Sequence, residues 1–257
     1  MSVHSSEKQS HPAPSSRAIV VMEDRRSAGT STGWHMHATG QLLYATEGVM
    51  LVHTDAGSWV VTPNRALWML PGLRHNVTMS GDVLIRTAYI DVAQIPTLPT
   101  ESCVLNVSPL LRELLVEAVR ISPSTPPQGR DARLLDLLLD EIRISPVLPL
   151  HLPMPDDPRL RTLCRELSAK PAASSSAAQW AASIGVGERT LHRMFVKETG
   201  MTFATWREQA RLLHALQRIA NGDKIIDVAL DCGYASPSAF AAMFKRHFGV
   251  TPTSFFK

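Results

Sequence analysis

Ala181-Ala-Ser-Ile-Gly-Val-Gly-Glu-Arg-Thr-Leu-His-Arg-Met-Phe-Val-Lys-Glu-Thr-Gly200 decides the fold of the C-terminal part of the chain, because it recurs. The second copy is Ala229-Leu-Asp-Cys-Gly-Tyr-Ala-Ser-Pro-Ser-Ala-Phe-Ala-Ala-Met-Phe-Lys-Arg-His-Phe-Gly-Val-Thr-Pro252. Met194-Phe195 matches Met243-Phe244, Gly200 matches Gly249 and Thr202 matches Thr251, all at a spacing of 49. Ala181 and Gly185 match Ala229 and Gly233 at a spacing of 48, so the second copy carries one extra residue in its turn. Each copy reads short helix, glycine turn, longer helix. Gly185 and Gly233 supply the positive φ of a sharp turn. Gly200 and Gly249 stand where a helix ends in a left-handed residue. Ser236 caps, and Pro237 takes the first helical position. The spacing predicts helices over 177–184, 188–199, 202–220 and 224–231, and one from Pro237 to Gly249. In the helix over 188–199, Leu191, Met194 and Phe195 form the inner face. Arg189, His192, Arg193 and Lys197 fall elsewhere on its surface.

Working outward, charge separates the chain into two parts. Residues 156–257 carry 14 Lys and Arg against 9 Asp and Glu, a balance of +5, while residues 1–155 carry 12 against 14, a balance of −2. A basic excess confined to one end suits a polyanion-binding domain beside a neutral sensing domain. One helix-turn-helix is a weak signal that a plain helical bundle also satisfies. Two in tandem on the basic end are a strong one. Between the parts, residues 145–158 hold five prolines, at 146, 149, 153, 155 and 158, and read as a stiff linker. Just upstream, helical periodicity runs from 108 or 109 to about 121, and again over 131–144. The second stretch has Leu134, Leu135, Leu138, Leu139 and Ile142 on one face. That stripe either pairs two copies of the chain or covers the domain before it.

Residues 19–91 read as β-strands. Runs rich in Val, Leu, Ile, Trp and Tyr are punctuated by Ala28-Gly29, Thr39-Gly40, Glu47-Gly48, Asp55-Ala56-Gly57, Pro63-Asn64, Pro71-Gly72 and Ser80-Gly81-Asp82. Turn signals at that density predict a small barrel or sandwich. The first 16 residues lack an apolar stretch and read as a disordered arm rather than a secretory leader. Three scattered cysteines, Cys103, Cys164 and Cys232, argue against a disulfide framework and for a reducing cytosol. No apolar run approaches the roughly 20 residues of a membrane span.

The paired repeat resembles the AraC/XylS regulator signature over about 158–257. The resemblance implies sequence-specific binding of double-stranded DNA. Its first recognition helix would read bases from Arg189, His192 and Arg193. The second would use Ser238, Ala239, Ala241 and Ala242. Ala242 departs from the family pattern, which often has Arg there. Lys197 is expected among the DNA-binding residues, and Lys245 and Arg246 are expected to neutralise phosphates. His35-Met-His37, with Gln41 and Gly48 following, resembles the first cupin motif, with Gln41 in place of its Glu. Pro71-Gly-Leu-Arg-His75 resembles the second, one residue short. His35 and His37 share a strand face because the side-chain period is two. With His75 they would form a three-imidazole site for a divalent metal such as Zn, Fe, Ni or Cu. The alternative is an organic effector touching the same histidines, with Gln41 and Tyr44. Trp34, Leu43, Trp59 and Trp68 are further candidates for the cavity wall.

The expectation is therefore an α+β chain of two domains: a cupin-like effector-binding barrel over 17–100 and an all-α tandem helix-turn-helix domain over 156–257. Central helices and the linker, over 101–155, join them and offer a dimerisation surface. Such a protein is cytoplasmic and transcription-regulating. It would answer to a small molecule or a metal, form a homodimer, and engage RNA polymerase if it activates. Similar short regulators are encoded beside transporter genes. Two rivals are a cupin-type metalloenzyme, such as a dioxygenase or isomerase, and a DNA-binding protein that needs no effector. No Asp or Glu stands beside the histidine motif as a catalytic base, which weighs against the enzyme.

Overall fold

The computed structural model describes residues 18–148 and 151–255, so the arm expected over 1–16 lies outside the described residues. Strands come first: β1 (Ile19–Arg26), β2 (Gly40–Thr54), β3 (Gly57–Val61), β4 (Arg65–Met69), β5 (His75–Ile90) and β6 (Cys103–Asn106). Helices α1 (Pro109–Ala118) and α2 (Arg130–Ile144) follow, then two short strands, β7 (Val147–Leu148) and β8 (His151–Pro153). All eight strands join one antiparallel sheet in the order β1-β5-β2-β4-β6-β7, with β3 between β2 and β8.

Two stretches that read as turns are bends inside long strands. Glu47-Gly48 lies within β2 and Ser80-Gly81-Asp82 within β5, and the register between these strands shifts at Glu47. Gly48 and Gly81 have φ of 76° and 78°. A Cβ on Gly48 would come within 2.2 Å of the Asp82 carbonyl oxygen. Facing glycines therefore let both strands curl together, as bulges at barrel corners do.

The curled sheet has two apolar faces. Leu43, Met50, Val52, Trp59, Met69 and Met79 pack inside it. Leu42, Tyr44, Trp68 and Leu105 face the other way, onto α1 and α2. Leu134, Leu135, Leu138, Leu139 and Ile142 are buried in that second cluster. The leucine stripe thus covers the sheet within one chain, and any self-association has to use another surface. Ser108 caps α1 by accepting from the Leu111 amide at 3.0 Å, and donates to Glu141 of α2 at 2.9 Å.

The barrel is also larger than the sequence suggested. Strand β6 lies beyond residue 100 and pairs with β4. Much of the proline-rich stretch read as a linker is built into the sheet. β7 pairs with β6, and β8 with β3. Pro146 and Pro153 hide this, because the one precedes β7 and the other ends β8, where a missing N–H costs no ladder bond.

The remaining helices are α3 (Pro158–Ala169), α4 (Ala177–Ser183), α5 (Glu188–Thr199), α6 (Phe203–Ala220), α7 (Ile225–Asp231), α8 (Pro237–Phe248) and the short α9 (Pro252–Phe255). Gly200 and Gly249 close α5 and α8 in the left-handed conformation, at φ of 70° and 75°. Thr202 and Ser236 cap α6 and α8 through their side chains. A reciprocal Ser176–Gln179 capping box starts α4. Helix α6 is the axle of this half, with Trp206, Leu212, Ala215 and Leu216 fully buried.

The two halves share one core. Val49, Val60 and Leu152 of the sheet pack in the same cluster as α6. The Trp206 indole donates to the Pro153 carbonyl at 2.7 Å, and Ser80 of β5 bonds Asn221 after α6 at 2.9 Å. Among the described residues no helix is long and apolar enough to cross a membrane.

Candidate nucleic-acid interface and effector site

Helices α5 and α8 are each the second helix of a helix-turn-helix, and each puts a different chemistry on its outer face. On α5, Arg189, His192, Arg193 and Lys197 are all exposed. Among the described residues Arg189, Arg193 and Lys197 join no ion pair, while His192 lies 3.7 Å from Glu188. Glu198, which could have neutralised Arg193, instead accepts the Asp156 and Asp157 amides at 3.1 and 3.3 Å. Two guanidinium groups are thus presented without an internal partner. On α8, Ser238, Ala239 and Ala242 are exposed and Ala241 is half-buried. Lys245 is exposed, but Arg246 is bound to Glu208 of α6, and His247 reaches the same carboxylate at 3.0 Å. Burial pushes the Glu208 carboxyl up, and the bonds from His247 and Arg246 outweigh it, holding the group below its usual range. Sequence reading missed Glu208, because its two partners lie a whole helix-turn-helix away.

The two units are held at a fixed spacing by arginines of α6. Arg211 donates to the Pro171 carbonyl at 2.9 Å and lies over the Tyr234 ring at 5.8 Å. Arg207 donates to the Ser175 carbonyl at 3.2 Å and also bonds Ala173. Gly233 lets the second turn approach this loop, since a Cβ there would sit 3.1 Å from the Ala172 Cα. A groove runs between the units, lined by His192, Glu208, Ala239 and Ala242.

In the barrel, a pair of backbone hydrogen bonds joins His35 to His75, at 2.9 and 2.8 Å. They bring His35, His37 and His75 together, with ring centroids 4.3 to 5.3 Å apart. One ring nitrogen from each falls within 4.8 Å of the others. His75 is 1% exposed, and the other two are half-buried. Nδ1 of His35 lies 2.8 Å from the Gly33 carbonyl, and Nδ1 of His75 lies 2.8 Å from the Leu73 carbonyl. A carbonyl can only accept, so Nδ1 carries the proton and Nε2 keeps its lone pair. Fixing the tautomer in this way is the usual second layer of a metal site. The donor set therefore fits a divalent transition metal, and leaves coordination positions open for a further ligand.

The neighbours of this cluster differ in part from expectation. Gln41 is 5% exposed and pairs across the sheet with Tyr89 and Met69, which gives the three side chains one face. Tyr89, not singled out from sequence, packs its ring edge against His37 at 5.0 Å. Its odd position on β5, shared with His75, was the available signal. Burial, aided by the Asp24 charge, pushes its hydroxyl up to about 12. Tyr44 and Trp68 are corrections: both lie on the helix-covered face, away from the barrel interior. Alternation along β2 requires this once Gln41 and Leu43 face inward. Trp34 is 46% exposed and lines no wall; Arg74 stacks over it at 4.9 Å. Leu43 and Trp59 do lie in the interior.

Two family models cover the described chain. The AraC-like ligand binding domain matches residues 18–182, and a helix-turn-helix domain matches residues 180–257. The HTH-type transcriptional regulator NimR of Escherichia coli K12 is 34% identical over 218 residues, covering 85% of this chain and 80% of that protein. The thermoregulatory protein LcrF of Yersinia pestis is 27% identical over 232 residues, covering 84% and 82%. Among solved structures, ToxT from Vibrio cholerae is similar at a TM-score of 0.39 and 12% identity, covering 93% of this chain and 98% of that one. With a ligand-binding barrel ahead of two DNA-reading units, the chain belongs to the AraC family and is a ligand-controlled, DNA-binding transcription regulator.

Proposed function

We propose that this regulator reads its operator chiefly through α5, and that the histidine cluster of the barrel is its effector site. The first statement rests on the contrast between the two helices. Arginine can bond guanine O6 and N7 together, worth roughly 1–3 kcal/mol of discrimination. Arg189 and Arg193 are exposed and unpaired among the described residues. The α8 surface offers alanines, whose methyls can touch thymine but neither donate nor accept. Ser238 is the exception. Lys245 then serves the phosphates, which positions the protein without reading sequence. Tandem units of this kind place their helices in major-groove segments about 34 Å apart on one face of DNA. Selection from a randomised operator library tests this. The sequence information should concentrate in the half-site facing α5. Equal information in both halves would overturn it.

The effector reading rests on His35, His37 and His75, with the Nδ1 protons of two of them committed to backbone carbonyls. A divalent ion held by the three imidazoles would give the apolar barrel a fixed polar anchor for a small molecule. Elemental analysis of protein purified without an affinity tag should find about one metal per chain, lost in His37→Ala. No stoichiometric metal, with an unchanged effector response in that variant, would reduce the three to structural histidines.

A further inference from the structure

We infer that Val196 is a further base-reading residue of this regulator, and that its methyls contact the C5-methyl of a thymine in the half-site facing α5. The inference rests on the reading of α5 given above and deepens it, from guanine to a second base.

The case begins with the geometry of the helix. Around its axis, Arg193 stands about 40° to one side of Arg189 and Val196 about 20° to the other. The three form one ridge. Leu191 and Phe195, both fully buried, lie on the opposite side and face the core. The ridge is therefore the outermost line of α5, whereas Lys197 falls about 80° from Arg189, on the flank. Val196 is 51% exposed, the large apolar side chain that α5 leaves in solvent. A single exposed apolar residue is ordinary on a protein surface. This one continues a line of two arginines that join no ion pair among the described residues. An isopropyl group neither donates nor carries charge, so phosphate is not its target. In the major groove the matching apolar group is the C5-methyl, which marks thymine among the four bases.

The repeat supplies an independent comparison. At the spacing of 49 that matches Phe195 with Phe244, the counterpart of Val196 is Lys245, which is also exposed. The same outward position thus carries a cation on α8 and an isopropyl group on α5. Valine is a poorer helix former than lysine, so exposure to solvent gives no reason for it here. Its branch at Cβ holds χ1 in one rotamer, and the methyls are therefore already placed when DNA arrives. Val196 lies one turn past Arg193, about 4.5 Å along the axis. Successive bases of a strand are about 3.4 Å apart. The thymine should then stand one or two base pairs from the guanine taken by Arg193.

The test uses the full chain and the operator selected from the randomised library. Each thymine of the half-site facing α5 is replaced in turn by uracil, which removes the C5-methyl and leaves the hydrogen-bonding edge intact. The wild type should lose about fourfold in affinity at one such position, the worth of one buried methyl group. That position should lie within two base pairs of the guanine whose preference Arg193→Ala relaxes. Val196→Ala should bind the thymine and uracil operators alike. The side chain is exposed and alanine favours helix, so this variant folds as the wild type does. Val196→Lys, which copies α8, should lose the same preference and steepen the salt slope by about 0.9. A selected half-site with no thymine at that distance overturns the inference. So does a set of uracil substitutions that the wild type and Val196→Ala feel equally. In either case the reading of α5 stands if Arg193→Ala relaxes the motif. If the half-site facing α5 carries no sequence information, both fall.

Discussion

At the scale of single residues, function turns on which charged groups are already engaged. Arg193 has no internal partner among the described residues, whereas Arg246 is bound to Glu208. Arg193→Ala should therefore relax base preference at one or two operator positions, at a cost of roughly 1–3 kcal/mol there. Lys245→Ala should weaken binding to every sequence alike and lower the salt slope by about 0.9. Glu208→Gln should do the reverse. It releases Arg246 toward phosphate, so affinity for unrelated DNA rises and its salt dependence steepens; unchanged binding would mean Arg246 never reaches DNA. His151 offers a separate test, on stability. It stacks on Trp59 at 4.3 Å, and burial, partly offset by a hydrogen bond to the Ala56 backbone, pushes its pKa down to about 4. The unfolded chain takes up this proton near pH 6.5 and the native one only near 4. The stabilisation is thus complete above about 6.5 and is lost progressively as pH falls toward 4. Denaturation midpoints across that window should slope less steeply in His151→Phe than in the wild type.

At the scale of elements, the parts legible in sequence are those set by local chemistry. The bounds of α5 follow from its glycines, and Gly200 and Gly249 take the left-handed conformation their positions demand. Ser108, Thr202 and Ser236 cap because their side chains serve amides three residues on. What was not legible depends on distant partners. Glu47-Gly48 looks like a turn until Asp82 is seen opposite it. The prolines around β7 and β8 conceal strands that exist only because β6 and β3 await them. The stripe on α2 states that it must be buried, not against what; only the packed sheet assigns it. The histidines were legible from their motif, whereas Tyr89 joins them through the curl of β5. The stripe's assignment carries its own prediction. Leu138 is 0% exposed, so Leu138→Ala should cost roughly 2–5 kcal/mol of stability. Sedimentation of the folded variant should match the wild type; a change of oligomeric state would return the stripe to an interface.

At the scale of the whole molecule, the sensing and reading parts are joined by packing rather than by a free linker. Strand β5 carries His75 in the histidine cluster and Ser80 against Asn221, at the end of α6. Strand β8 takes the Trp206 bond on its Pro153 carbonyl. Helix α6 in turn fixes both helix-turn-helix units through Arg207 and Arg211. A ligand that draws the three histidines together thus acts on a strand that touches the axle of the DNA-binding half. It shifts the equilibrium only by its difference in affinity between the two arrangements. Couplings of this kind typically amount to 5–150-fold in affinity. The most direct measurement is operator affinity by fluorescence anisotropy, for metal-loaded and metal-stripped protein, in the wild type and in His37→Ala. The account predicts a metal-dependent change of at least about fivefold in the wild type and none in His37→Ala. Equal operator affinity in all four states, or a metal effect that survives in His37→Ala, would contradict it.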